Sequence, residues 1–277
     1  MTRVGTSEAA GPSRTAMIAA MARASHLLHY GPRALLADWL AWPLAGADAE
    51  AILAKRRELP GNLDEVPICV WLAARSRLAE DWLTISGTEQ YVILGAGLDS
   101  FAWRQPGRVR VFEVDQPSMQ AWKRERVAAL GMPTPAELVW TPVDFEQRQL
   151  GTALSQAGLD ATRGVFVSWL GVVPYLTPDN AIVQTLRDLP DCSLAVGYVP
   201  PDTHRDEDAR DFGAQLEARV RELGEPWVTL PTPEEFAALL AKGGFTVIED
   251  IGAHDIETRY GIPAVHFERM TLARKDS

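Results

Sequence analysis

The sequence predicts an α/β protein: a doubly wound, mostly parallel sheet of seven strands, with a helical cap before it and an antiparallel hairpin at its end. Three observations support this fold class. Apolar, strand-like runs alternate with helical segments from residue 91 onward, which is typical of parallel strands joined by crossover helices. The first run stops at Gly95-Ala96-Gly97, a glycine turn. The last two runs have no predicted helix between them and should pair antiparallel at the sheet edge.

Length and composition limit the classes to consider. The 277 residues, 47% of them hydrophobic, suffice for one sizeable core; we expect residues 1–86 to form a helical cap or lid and 87–277 the main domain of one structural unit. A formal net charge of −10 argues against a nucleic-acid partner. Cys69 and Cys192 are too isolated for a disulfide framework or a zinc site. Without a signal peptide or an apolar run of roughly 18 residues, we expect a cytoplasmic protein that does not enter membranes.

The cap is predicted to be helical. Residues 1–13 are small and polar and should fray, and Ser13 or Thr15 can cap a helix that ends at Tyr30, before Gly31-Pro32. Further helices are predicted at 34–40, 47–59 and 67–83.

The main domain is predicted to contain seven strands, at 91–94, 109–114, 138–143, 165–169, 194–199, 245–250 and 265–273. Helices are predicted at 118–130, 179–189, 206–223 and 232–242. The last helix has Pro233 in its first turn and is stopped by Gly243-Gly244. The segment 252–263 is predicted to be a loop that joins the final two strands.

Gly95 and Asp115 lie 20 residues apart, at the ends of the first two predicted strands. This arrangement is typical of a site for an adenosine-containing cofactor. Glycine lets the backbone turn sharply and approach a ligand, and the acid can accept both ribose hydroxyl protons. The pattern leaves two cofactors open, NAD(P) and S-adenosylmethionine.

Three features favour S-adenosylmethionine. Ser100 stands where the dinucleotide fingerprint has its third glycine, which matters beneath a pyrophosphate that S-adenosylmethionine lacks. Asp144 follows the next strand and precedes Phe145, so an acid can bond the adenine amino group while an apolar side chain covers the ring. A terminal antiparallel hairpin is expected of methyltransferase sheets and not of a dinucleotide fold.

Several stretches occur in the order and spacing of a known family. They are Ser13-Arg14-Thr15-Ala16 with Arg23-Ala24, Ala74-Arg75-Ser76-Arg77, Ile93 to Ser100, Phe112 to Pro117, Val143-Asp144-Phe145 and Ser168 to Pro178. In these stretches the chain resembles the leucine carboxyl methyltransferase family, in its bacterial branch of S-adenosylmethionine-dependent methyltransferases. The resemblance implies a class I methyltransferase fold, which is Rossmann-like.

The resemblance also implies roles for the glycine turn and the acid. Gly95, Ala96 and Gly97 would pass under the methionine part of the cofactor. Asp115 would bind the ribose, with Glu113 as the alternative.

Four further residues receive cofactor-binding roles from the resemblance. Asp144 and Phe145 would bind adenine. Arg75 would hold the cofactor carboxylate, because a planar guanidinium can bind two oxygens at once. Arg23 would lie in the N-terminal helix that closes over the cofactor.

The methyl acceptor is less well specified. Trp169 and Tyr175 are candidates for its pocket, although aromatic residues after a strand are also common in cores. Where eukaryotic members carry Glu before Gly-x-x-x-Tyr-Leu-Thr, this chain has Leu170, which weakens the case for a protein C-terminus as acceptor. We expect O-methylation of a small-molecule carboxylate or hydroxyl, in secondary metabolism. A carboxylate needs no base; a phenol or alcohol would need one, for which His29 or Tyr175 are candidates.

Alternatives stay open at this point. An NAD(P)-dependent oxidoreductase would need a hydride-transfer site, and the chain has no Tyr-x-x-x-Lys pair. A protein that binds S-adenosylmethionine without methylating would keep the same cofactor residues. His204 lies among Asp202, Asp206 and Asp208, but without the rhythm of metal ligands, so a solvated loop or lid and no metal are expected. The N-terminal helices either cover the site or pair two subunits into a homodimer.

Overall fold

The computed structural model describes residues 13–46, 67–145, 150–205, 207–263 and 267–275. Its strands are β1 (Gln90–Leu94), β2 (Arg110–Asp115), β3 (Leu138–Pro142), β4 (Val165–Trp169), β5 (Cys192–Tyr198), β6 (Thr246–Ile251) and β7 (Arg269–Lys275). These seven strands form one sheet in the order β3-β2-β1-β4-β5-β7-β6.

The helices of the described residues surround this sheet. They are α1 (Arg14–Tyr30), α2 (Ala41–Ala45), α3 (Pro67–Ser86), α4 (Phe101–Arg104), α5 (Pro117–Ala129), α6 (Leu150–Gln156), α7 (Val183–Asp188), α8 (Glu207–Glu222), α9 (Pro233–Lys242) and α10 (Ala253–Tyr260). The predicted helix 179–189 is a π-helical turn, Pro178–Ile182, continued by α7. None of these helices combines the length and apolar character needed to cross a bilayer.

The predicted fold class is confirmed. The neighbouring strands from β3 through β5 are all parallel, and β7 runs antiparallel between β5 and β6. In this register Leu94 pairs with both Val114 and Trp169, so the carboxyl ends of β1, β2 and β4 lie side by side. Ligands of open α/β sheets bind at this edge.

Alternating side chains of the strands build a core on each face of the sheet. Tyr91 and Ile93 pack with α1, α3 and α5, whereas Val92 and Leu94 pack with α6, α7 and α9. Because α1 and α3 share the core formed by Tyr91 and Ile93, the cap packs on that face of the sheet. The division of the chain at residue 86 stays a prediction.

The connection between the last two strands corrects one prediction. Segment 252–263 contains a helix, α10, where a loop was expected. The Asp255 carboxylate accepts the N–H of Gly252 at 2.8 Å, which satisfies a donor at the helix start. Ala253 and Ile256, three residues apart on one helical face, are fully buried. Burial of these two apolar residues stabilises the helix, which the mostly polar sequence of the segment did not indicate.

The predicted helix 34–40 is also wrong. After a 3-10 turn at Gly31–Arg33, the chain is not helical again until α2. The N–H of Leu35 donates to His26 Nε2 at 2.9 Å, and the N–H of Ala41 donates to Asp38 Oδ1 at 3.1 Å. Side chains thus satisfy the N–H groups at the two ends of this non-helical segment. Residues 1–12 and the predicted helix 47–59 lie outside the described residues.

His26 should make the protein less stable as the pH falls from 6.5 towards 4. Burial, with a contribution from His29, lowers the pKa of His26 from 6.5 to about 4. The unfolded state therefore takes up a proton below pH 6.5 that the folded state does not take up until about pH 4, and protonation favours unfolding in this window.

Thermal unfolding across that pH window checks the His26 prediction. His26→Gln can still accept the N–H of Leu35 but does not titrate. The wild-type midpoint should fall more steeply with pH than that of the variant, and parallel curves would contradict the prediction.

Candidate cofactor-binding site

The turn after β1 is built on two glycines in the left-handed region, Gly95 at φ 64° and Gly97 at φ 48°. A Cβ at Gly95 would collide with the Val172 side chain, and one at Gly97 would lie 3.2 Å from the Ala16 Cβ. The N–H of Ala96 donates to the Val114 carbonyl at 3.1 Å, which ties the turn to β2. The turn therefore lies closely covered by α1 and by the segment after β4, where only glycine fits.

Asp115, the last residue of β2, contacts this turn directly. Its Oδ2 accepts the N–H of Gly97 at 2.6 Å and its Oδ1 accepts the N–H of Gln116 at 2.7 Å. Burial raises the pKa of Asp115 above its usual value, and the two backbone donors oppose that rise. The two landmarks of the sequence pattern, the glycine turn and the acid, thus form one unit at the carboxyl edge of the sheet.

Glu113, the alternative to Asp115, lies elsewhere. It is fully buried, and its Oε2 accepts from Lys123 Nζ at 2.6 Å. Lys123 in turn lies over the rings of Trp103 and Trp140, at 5.4 and 5.7 Å from their centroids. Burial raises the pKa of Glu113 to about 7, against the opposing charge of Lys123. This carboxylate belongs to a buried ion pair between the sheet and α5, so Asp115 is the acid that faces the turn.

The two residues after β3 extend the same edge. The N–H of Val143 donates to the Asp115 carbonyl at 2.8 Å, which places Asp144 and Phe145 beside the end of β2. The Phe145 ring packs against Trp169 of β4, with centroids 6.2 Å apart. The Trp169 indole N–H is buried without a hydrogen-bond partner among the described residues. Trp169 itself is a core residue on the α6, α7 and α9 face.

Arg75 reaches the edge from α3. Its Nη1 donates to both carboxylate oxygens of Glu268, at 3.0 and 2.9 Å, and Trp71 Nε1 donates to Glu268 Oε2 at 2.5 Å. The guanidinium lies against Gly171, where a Cβ would be 2.8 Å from Arg75 Nη2. Neither Trp71 nor Glu268 was predicted, because Glu268 lies 193 residues from Arg75 and no local pattern joins them.

Arg23, in α1, is buried and bonded to the residue that follows the turn. Its Nε donates to Asp38 Oδ2 and its Nη2 to the Leu98 carbonyl, both at 2.8 Å. Ser100 Oγ donates to the other oxygen of Asp38 at 2.5 Å, and Arg104 Nε donates to Ser100 Oγ at 2.8 Å. Burial would raise the pKa of Asp38, but the charges of Arg23 and Arg104 outweigh it and lower that pKa.

This buried network holds the start of α4 against the cap. Its second carboxylate, Glu80 of α3, accepts from Arg104 Nη2 at 2.5 Å. Asp38, Arg104 and Glu80 were missed in the sequence, where Ser100 was noticed only as a missing glycine. Their separations of 15 to 62 residues leave no short-range signal.

Tyr175 lies in the 3-10 turn Val173–Tyr175 after β4. Burial raises the pKa of its phenol above the usual value, against the opposing effects of Trp227 and Thr15, whose side chains lie at its hydroxyl. The start of α1 is bound at the same place: Glu225 accepts the N–H of Arg14 at 3.1 Å and a hydrogen bond from Thr15 Oγ1. The sequence did not indicate Glu225.

The described residues around His204 form a short turn and an ion pair. Asp202–His204 is a 3-10 turn, and Asp202 is ion-paired with Arg205 at 2.5 Å. Across the described ranges, no three potential metal ligands of the His, Cys, Asp and Glu types come together. Asp206 lies outside those ranges.

Residues 16–189 match the family model described as leucine carboxyl methyltransferase. A Mycolicibacterium paratuberculosis protein named "putative S-adenosyl-L-methionine-dependent methyltransferase" is 31% identical over 264 residues, covering 89% of this chain and 80% of its own. Bacillus subtilis YktD, which carries the same descriptive name, is 28% identical over 274 residues, covering 88% and 90%.

Solved structures share the fold at lower identity. A Thermobifida fusca protein named "putative methyltransferase" matches with a TM-score of 0.60 at 18% identity, covering 98% of this chain and 97% of its own. A DUF574 family protein from Streptomyces avermitilis matches with a TM-score of 0.58 at 20% identity, covering 83% and 91%.

Proposed function

The chain belongs to the leucine carboxyl methyltransferase family and is an S-adenosylmethionine-dependent methyltransferase, and on this premise we propose that it methylates a carboxylate oxygen of a small molecule. Relatives that cover most of the chain carry this cofactor in their names, which removes the NAD(P) alternative. A hydroxyl of a small molecule, as in secondary metabolism, is the second acceptor class.

The residues along the carboxyl edge suit this cofactor. Asp115 has further lone pairs for the ribose hydroxyls, and Asp144 with Phe145 offers an acid and an apolar ring for adenine. The glycine turn, which admits no side chain at Gly95, would pass under the methionine part. When bound, S-adenosylmethionine supplies an electrophilic methyl group on a sulfonium. The chain itself then has to hold, orient and desolvate the reactants.

We assign the two arginines different tasks. Arg75 of α3, whose guanidinium lies on Gly171 after β4, would hold the cofactor carboxylate. Arg23 would act through the turn, because its guanidinium is bonded to Asp38 and to the Leu98 carbonyl.

The observation that carries the acceptor class is the setting of Tyr175, whose hydroxyl lies at the side chains of Trp227 and Thr15 beside the start of α1. A phenol is protonated at neutral pH and burial raises the pKa of Tyr175 further, so it can donate a hydrogen bond to an acceptor oxygen but is a poor base. His29 is exposed and lies 14 residues along α1 from Thr15, or about 21 Å. It therefore stands far from Tyr175, which adjoins Thr15. An acceptor that is already ionised, a carboxylate, suits this arrangement.

Transfer from methyl-labelled S-adenosylmethionine tests the proposal. The protein is offered small carboxylic acids and matched phenols and alcohols, and label and S-adenosylhomocysteine are followed together. A carboxylic acid should become a methyl ester, which releases labelled methanol in alkali. Label that survives alkali would favour the hydroxyl class, and label on protein would contradict a small-molecule acceptor. A failure to form S-adenosylhomocysteine even with cell extract would favour binding without methylation.

A further inference from the structure

Arg75 and Glu268 form a buried pair that is seated between two glycines. The side chains are 11% and 2% exposed. A Cβ at Gly171 would lie 2.8 Å from Arg75 Nη2, and one at Gly197 would lie 2.7 Å from Glu268 Oε1. Gly171 follows β4 and Gly197 lies near the end of β5, so the pair is seated where two parallel strands end.

Glu268 holds Arg75 through one nitrogen. Within the described part of the chain, the hydrogen bonds of Arg75 all run through Nη1, which donates to both oxygens of Glu268. Trp71 Nε1 also donates a hydrogen bond to Glu268 Oε2. The guanidinium as a whole lies on Gly171, with Nη2, Nη1 and Cζ at 2.8, 3.0 and 3.2 Å from the position of a Cβ there, and Nη2 makes no hydrogen bond within the described residues. Gly171 is the neighbour of Val172, whose side chain packs on Gly95 of the cofactor turn.

We propose that Glu268 is a positioning residue: clamped by Trp71, it fixes the Arg75 guanidinium so that its Nη2 side is presented to the carboxylate of the amino-acid part of the cofactor. The proposal rests on the assignment of Arg75 under the proposed function. Its energetic basis is preorganisation, since a free arginine side chain would have to be ordered on binding.

Removal of the Glu268 charge has opposite expected effects if Glu268 positions Arg75 and if it acts only through its charge. A second carboxylate beside Arg75 weakens the attraction between Arg75 and an anionic ligand group. If charge alone mattered, Glu268→Gln would therefore bind the cofactor more tightly. If Glu268 orients Arg75, the same variant binds it more weakly, because one end of the glutamine amide is a donor that faces the donors of Arg75 or Trp71.

Two ligands make the test specific. S-adenosylhomocysteine carries the amino-acid part, and 5′-methylthioadenosine has the same nucleoside and sulfur without it. Calorimetry of the full chain gives the ratio of the two affinities for each variant. Glu268→Gln should lower the affinity for S-adenosylhomocysteine by about 10-fold, the size of a lost charged hydrogen bond, and leave that for 5′-methylthioadenosine within about 2-fold. Trp71→Phe, a milder change, should lower the ratio by a smaller factor.

Two variants calibrate the result. Arg75→Met should remove the preference for S-adenosylhomocysteine. Asp250→Asn is the matched control, because Asp250 forms an ion pair at 2.7 Å with Arg269, the residue that follows Glu268 in the chain. Asp250 also accepts a hydrogen bond from Tyr198, whose ring stacks on Phe236 of α9, so this ion pair lies on the other face of the sheet from Arg75. Its affinity ratio should equal that of the wild type.

The outcomes are distinguishable. An unchanged ratio in Arg75→Met would overturn the assignment of Arg75 itself. A lowered ratio in Arg75→Met with an unchanged or raised ratio in Glu268→Gln would overturn the positioning role alone. If Glu268→Gln impairs folding in general, both affinities fall together. The affinity ratio of Trp71→Phe then decides: a lowered ratio supports the positioning role, and an unchanged ratio overturns it. None of these results depends on the identity of the methyl acceptor, which the labelled transfer tests separately.

Discussion

Asp115→Ala is expected to weaken the binding of S-adenosylhomocysteine by about 10- to 150-fold, the equivalent of about 1.5–3 kcal/mol for a lost charged hydrogen bond. The carboxylate is the acid at the end of β2, and it already orders the cofactor turn through the N–H of Gly97. Its loss should remove the ribose contact and loosen that turn. Calorimetric titration of the two proteins measures the difference.

Glu113→Gln provides the comparison from the same strand. Glu113 is two residues away but faces Lys123 in a buried ion pair. We expect this variant to lose stability and to keep its affinity for S-adenosylhomocysteine. If Glu113→Gln loses binding while Asp115→Ala keeps it, the ribose assignment must be exchanged between the two acids.

Asp38→Ala is expected to lower the free energy of unfolding by about 3–5 kcal/mol, as for a buried pair that loses one partner. Asp38 is 1% exposed, and its oxygens accept from Arg23, Ser100 and the N–H of Ala41. Truncation leaves Arg23 without this partner and removes the link from the cap to Ser100. Urea unfolding followed by circular dichroism measures the change.

The matched control for Asp38 is an exposed aspartate in an ion pair. Asp179 pairs with Lys242 at 3.3 Å, and its side chain is 77% exposed. Exposed pairs contribute little, so Asp179→Ala should change the free energy of unfolding by less than about 1 kcal/mol. Equal losses in the two variants would show that the Asp38 network does not stabilise the fold as its burial implies.

Much of the cofactor edge could be predicted because its signals are local. The apolar run of β1 followed by Gly95 and Gly97, and the acid at the end of β2, need only backbone geometry and neighbouring residues. Parallel strands with crossover helices then bring those ends together without further information. Arg75 was identified from a family motif, and the structure adds its partner, Glu268.

Local patterns failed where packing over long separations decides the structure. Segment 253–260 is polar on average, and only the core beneath Ala253 and Ile256 makes it a helix. Residues 34–40 have helical composition, yet they are not helical, and the side chains of His26 and Asp38 accept the N–H groups of Leu35 and Ala41.

The sequence by itself determined the fold class, because strand periodicity, glycine turns and strand-end acids depend on residues close in the chain. Its resemblance to a known family then pointed to the family and to the cofactor. Only the tertiary structure decided which charged groups are partners. Arg75 pairs with Glu268 across 193 residues of sequence, and Thr15 bonds Glu225 across 210. A buried charge needs a partner, and tertiary packing decides which residue lies close enough to be that partner.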